Sequence, residues 1–154
     1  LPIEHKGFVF GLDEWSNPTI DEKSALEALT SFVNATGATH VRIVFTVYQA
    51  SINSTTIYAK PPPSPLQTAP NSTITATIAH AKSIGLSVAL AMVLDPDWDL
   101  PNNPRSPGGP WRGQIGQGFG DAQWEEWFAS YSSFLLGYAE LAAGVGGVDL
   151  FEIG

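Results

Sequence analysis

Cysteine is absent from these 154 residues. That excludes thiol catalysis, zinc–thiolate centres and iron–sulfur clusters, and it denies the chain the disulfides on which small secreted domains usually lean. Charge is scarce as well: Asp, Glu, Lys and Arg make up 14%, against roughly 25% in an ordinary soluble domain. Basic residues are the scarcer kind, seven against fifteen acidic, for a net charge of −8. Nucleic acid and anionic membrane both call for a basic patch, so neither is an expected partner. No apolar run is long enough for a membrane span. There is no initiating Met and no signal peptide, so the expectation is a mature, trimmed or excised chain.

What is present is apolar and aromatic. Hydrophobic residues reach 44% and aromatics 11%, enough for one globular domain with a sizeable core. The first half also carries three sequons for N-glycosylation: Asn34-Ala35-Thr36, Asn53-Ser54-Thr55 and Asn71-Ser72-Thr73. Such a site is used only at the surface of a chain that enters the secretory pathway. The expected location is therefore extracellular or at the cell surface, and attached glycans would supply the solubility that the sparse charge does not. Asn17-Pro18-Thr19 is disqualified by its proline.

Along the chain, strand and helix patterns alternate. Lys6 to Leu12 reads as a strand. Thr19 and Glu22 form a capping box that opens a helix with Leu26, Leu29 and Val33 on one face, stopped at Gly37. His40 to Val47 is a nearly continuous apolar strand, followed by a polar loop that includes Pro61-Pro62-Pro63-Ser64-Pro65. Ser72 to Ile84 is a second helix and Leu86 to Leu94 a third strand. A loop of some 26 residues, 95–120, leads to a helix capped by Asp121. Its inner face would carry Trp124, Trp127 or Phe128, Tyr131, Leu135 and Tyr138. Gly144 to Gly147 ends it, and Val148 to Ile153 is a fourth strand.

Alternating strands and helices imply βαβ units and a parallel sheet, and apolar strands imply burial on both faces. Strand one is not followed by a Gly-rich phosphate turn; Gly116-Gln117-Gly118-Phe119-Gly120 does not follow a strand directly and is rejected as one. The long loops all follow strands, as on the active face of a (β/α)8 barrel. A whole barrel needs about 250 residues, so four strands and three helices make the N-terminal half of one. The remainder of the barrel, or a partner chain, is needed to complete the fold, because a half barrel leaves an edge strand on each side.

Several runs stand out: Lys6-Gly7-Phe8 through Trp15-Ser16, Val41-Arg42-Ile43-Val44 with Tyr48-Gln49, and Ala79-His80 to Gly85-Leu86-Ser87-Val88. Trp111-Arg112-Gly113-Gln114-Ile115 is the most specific, followed by Trp127 to Tyr131 and Val148 to Gly154. Together they resemble the glycoside hydrolase barrels of the family 113 type, which are endo-β-1,4-mannanases and their clan A relatives. The resemblance implies a polysaccharide or oligosaccharide as partner. It also implies a retaining mechanism with two carboxylates about 5–5.5 Å apart. The acid/base Glu of the family would fall about two residues past Gly154, and its nucleophile on a later strand. Glu152 is not its acid/base, so the chain as given should be inert.

Trp15, Tyr48, Trp98 and Trp111 follow strand ends, where flat rings could stack on a sugar or equally anchor loops in the core. Arg42, inside an apolar strand, needs an acidic partner, with Glu152 and Asp95 as candidates. Arg112, in a loop, suits binding sugar hydroxyls. Asp95-Pro96-Asp97-Trp98-Asp99 opens like a calcium loop, but Leu100 and Ser106 stand where that loop needs Gly and Glu. It reads as an acidic rim on a sugar cleft, with Asp95 in the binding set. His5, His40 and His80 show no ligand spacing and read as structural. No cofactor and no metal are expected. Two other classes stay open: a non-catalytic structural or glycan-binding glycoprotein that shares the barrel, and a cytosolic enzyme acting on a small metabolite.

Overall fold

The computed structural model describes residues 5–12, 22–64, 66–100 and 109–153. The elements are β1 (Gly7–Gly11), α1 (Glu22–Thr36), β2 (His40–Gln49), β3 (Ile57–Tyr58), α2 (Asn71–Ser83), β4 (Ser87–Pro96), α3 (Asp121–Val145) and β5 (Leu150–Glu152). Thr19, the expected cap of the first helix, and Trp15 lie outside the described residues.

Four strands run parallel in the order β1-β2-β4-β5. Neighbouring strands joined through a helix give the repeated βαβ unit. In a parallel sheet, residues in register share a face. Phe8, Val41 and Val88 are in register and belong to one hydrophobic core with Ile43, Phe45, Leu90, Ile74, Ile78 and Tyr138. Burying each such side chain contributes roughly 1.5–3 kcal/mol, and this face holds the three helices to the sheet. The other face carries Val9, Arg42, Ala89 and Leu150 in register. It is open: Val9 is 62% and Leu150 59% exposed. Four parallel strands with helices on one face and an open second face are half of a (β/α)8 barrel, as the alternation of patterns implied.

The structure departs from the sequence reading in detail. The loop after β2 forms β3, whose two residues pair antiparallel with Tyr48 and Gln49. Helix α3 is capped by Gly120, not Asp121: the Gly120 N–H donates to the Gln123 side chain at 3.1 Å. It ends at Val145, one residue before Gly146 in the left-handed region (φ 67°), where glycine avoids a Cβ clash. On its inner face Trp127, Tyr131, Leu135 and Tyr138 pack on the core. Phe128 is 56% exposed, and Trp124 packs instead on Phe119 and Gly116 of the preceding loop.

Candidate functional site

Among the described residues, one ion pair crosses the open face. Arg42 of β2 reaches over β4 to Glu152 of β5, with Nε 2.7 and 2.9 Å from the two carboxylate oxygens and a terminal nitrogen at 2.8 Å. The reach is possible because β4 presents Ala89 and Ala91 between them; a larger side chain would block the path. The hydrogen bonds from Arg42 hold the Glu152 carboxyl below its ordinary range, and Glu152 raises the Arg42 guanidinium above its own. An ionised carboxylate with both oxygens engaged cannot hand a proton to a leaving group, so Glu152 is unsuited to general-acid chemistry.

Both residues line a groove of about 460 Å³, which they share with Arg112 and with Trp124, Trp127 and Tyr131 of α3. The aromatic wall is rigidly mounted. Trp127 stacks on Tyr131 (5.0 Å, 7°) and donates its indole N–H to Gln49 at 2.9 Å. Tyr131 donates its hydroxyl to the Ile153 carbonyl at 2.9 Å. The Trp124 ring lies so close over Gly116 that a Cβ there would sit 2.2 Å from it. Gly116 in turn donates its N–H to the Ile52 carbonyl, tying the loop before α3 to the turn after β2.

The strand-end acids lie next to the groove, and each has a partner. Tyr48 and Asp95 stand in register at the carboxyl end of the sheet. Arg112 donates to Asp95 at 2.8 Å. Lys60, just past β3, bridges Asp97 and Asp99 at 2.5 Å each, and its Nζ sits 5.4 Å from the centre of the Tyr48 ring. Tyr58 donates to Asp97 at 2.6 Å, and Ser64 to Asp99 at 2.7 Å. Burial first, and then the bond to Asp97, push the Tyr58 hydroxyl well above its ordinary range. The bonds from Lys60 and Ser64 pull the Asp99 carboxyl down. The Asp95–Asp99 run is thus a clamp between two loops. Among the described residues no group of three His, Cys, Asp or Glu is placed to hold a metal ion.

Of the residues singled out from sequence, Arg112 lines the groove and Asp95 is joined to it. Tyr48 is fully buried beneath Lys60, so its ring is closed to a ligand here. Trp98 donates its indole N–H to the Pro110 carbonyl at 3.1 Å. Trp111 is 59% exposed and packs one side against Gly113, where a Cβ would lie 2.2 Å from the ring. Gly113 belongs to a short 3₁₀ turn, Arg112–Gln114, whose Gln114 side chain accepts from the Trp111 N–H. Sequence reasoning overlooked Lys60, Tyr58 and the placement of Trp124, Trp127 and Tyr131 around one groove. Among the sequon residues, Asn34 is exposed near the end of α1, Asn53 is exposed in the turn after β2, and Asn71 is the exposed first residue of α2.

Three solved structures share this architecture. A GH113 beta-1,4-mannanase, described as a complex structure, aligns at a TM-score of 0.72 and 23% identity, over 97% of this chain and 45% of its own. A second GH113 beta-1,4-mannanase structure aligns at 0.70 and 23% over the same shares. The GH113 beta-mannanase AaManA from Alicyclobacillus acidocaldarius, in complex with ManMIm, aligns at 0.67 and 25%, over 96% of this chain and 43% of its own. The chain therefore spans less than half the length of these structures. No curated protein matches it significantly. No helix among the described residues is long and apolar enough to cross a membrane. The model of Glycoside Hydrolase Family 113 matches residues 8–154, and the chain belongs to that family.

Proposed function

We propose that this chain is the sugar-binding half of a secreted β-1,4-mannanase-type glycoside hydrolase. The observation that carries the reading is the family 113 match over residues 8–154, joined to Arg112 and the Asp95 clamp at the carboxyl end of the half barrel beside an aromatic-lined groove. Apolar walls with a few fixed polar groups suit a pyranose, whose faces are apolar and whose rim is hydroxylated. Trp111, Trp98, Asp95 and Arg112 are the residues assigned to substrate, with Trp15 added from the sequence alone; Tyr48, buried beneath Lys60, drops out of the set. The carboxylates of the groove and its rim, Glu152, Asp95, Asp97 and Asp99, are engaged by Arg42, Arg112 and Lys60. The acid/base and nucleophile of a retaining mechanism would accordingly come from the continuation of a longer chain.

Secretion is part of the same proposal. It rests on three sequons whose Asn residues, Asn34, Asn53 and Asn71, are all exposed, and on the sparse charge.

The test is release of reducing ends from β-1,4-mannan by the full chain, with cellulose and xylan as controls. Hydrolysis of mannan alone supports the reading. Hydrolysis of another β-linked polysaccharide moves the substrate and keeps the chemistry. Binding of oligosaccharide without turnover favours a non-catalytic glycan-binding glycoprotein.

A further inference from the structure

A second groove, of about 360 Å³, lies on the helical side of the sheet. It is lined by Asn71, Ala59, Ser133, Phe134, Gly137 and Tyr138. Asn71 opens both α2 and the sequon Asn71-Ser72-Thr73, and it is exposed. Phe134 is half-buried and anchored on the core, and Ser133 brings a hydroxyl that can donate or accept. Gly137 is the notable member. It stands in the interior of α3, where glycine weakens a helix relative to alanine. Among the described residues nothing calls for it, because a Cβ at Gly137 would meet no atom within 4 Å. Its missing side chain leaves the groove open beside a glycosylation acceptor.

We propose that Asn71 carries an N-linked oligosaccharide whose first N-acetylglucosamine lies in this groove, along Phe134 and over Gly137. The proposal rests on the secretory reading above. The donor is an oligosaccharide on a polyprenyl pyrophosphate. The Asn71 amide nitrogen forms a bond to C1 of the first sugar, the C1–oxygen bond to pyrophosphate breaks, and the proton lost by the amide leaves with the pyrophosphate. The apolar face of the sugar then covers Phe134, and its polar rim has the Ser133 hydroxyl within the same groove.

The experiment uses the full chain from a glycosylating host, with glycans trimmed to one N-acetylglucosamine. Release of that sugar in heavy-oxygen water, followed by peptide mapping, marks each used Asn as labelled Asp. The melting temperature is then compared between the parent and Thr73→Ala, each with and without Gly137→Leu, which fills the groove. The same four proteins made without glycosylation subtract the effect of the side chains themselves. The expected result is a labelled Asn71. Its loss in Thr73→Ala should lower the melting temperature on the order of 2–4 °C, and Gly137→Leu should abolish that difference. An unlabelled Asn71 beside a labelled Asn34 or Asn53 overturns the Asn71 site alone. No label at any of the three overturns the secretory reading with it. A labelled Asn71 whose loss leaves the melting temperature unchanged overturns the seating in the groove.

Discussion

The guanidinium of Arg42 grips both oxygens of Glu152 from two strands away, passing over Ala89 and Ala91. The pair is partly exposed, at 40% and 32%, so its contribution sits at the upper end of the exposed range, about 1 kcal/mol. Glu152→Gln should lose that amount in urea unfolding at pH 7. Mutating Ala91 to Leu should interrupt the reach and cost at least as much. Equal stability of Glu152→Gln and the parent would show that the pair is geometry without net energy.

The pH dependence of stability has a definite sign. Asp99, Asp149 and Glu152 are all held below their ordinary values of 3.8 and 4.5. The largest cause for Asp99 is its bond from Lys60, for Asp149 the bond from the Val88 N–H, and for Glu152 the bond from Arg42. A group with a depressed folded value adds stability above its unfolded value and loses it as pH falls through the folded one. Stability should therefore be at its plateau above the ordinary carboxylate range and decline below it. In the same acid window the gap between Glu152→Gln and the parent should close. A gap that persists at pH 2 would contradict this.

Lys60→Met should be the costliest single change at the strand ends. Asp97 and Lys60 are 4% and 11% exposed, and removing one partner of a buried ion pair costs about 3 kcal/mol. The double variant Lys60→Met with Asp97→Asn should recover part of the loss, since the buried carboxylate is then gone and the one left facing the methionine, Asp99, is 38% exposed. A denaturation series on the three variants measures both quantities.

Trp111 tests sugar binding apart from folding. Its ring is exposed, so Trp111→Ala should change stability by less than about 0.5 kcal/mol. Losing an aromatic face worth about 1 kcal/mol should weaken binding of a mannooligosaccharide roughly fivefold, by calorimetry on the full chain. Gly113→Ala should weaken binding similarly, because its Cβ would meet the ring at 2.2 Å and turn it off its support.

Much of the fold was legible because it rests on long, periodic signals. The run His40 to Val47 is β2 in all but its last two residues, and the turns of apolar residues in α1 and α3 find the core. The need of Arg42 for a carboxylate was legible too. Register then decides between the candidates, giving Glu152 to Arg42 and Asp95 to Arg112. What sequence did not show is set by tertiary neighbours. Two residues, Ile57 and Tyr58, are too few to carry a period, and they become a strand only because β2 runs past the end of β1. Lys60 sits in a proline-rich stretch with no pattern around it, and its partners lie 37 and 39 residues away. The cap of α3 was misplaced by one residue because Gly120 offers its N–H to Gln123 in place of a side chain of its own.

The alternating acids after β4 acquire a further meaning once Lys60 is seen between two of them. In loops of this composition the neutralising charge is commonly a dissolved ion, held in proportion to its concentration. Here the counter-charge is tethered to the chain and cannot be diluted away. The rim beside the groove is therefore set at the moment of folding, and its shape does not wait on an ion drawn from the surroundings.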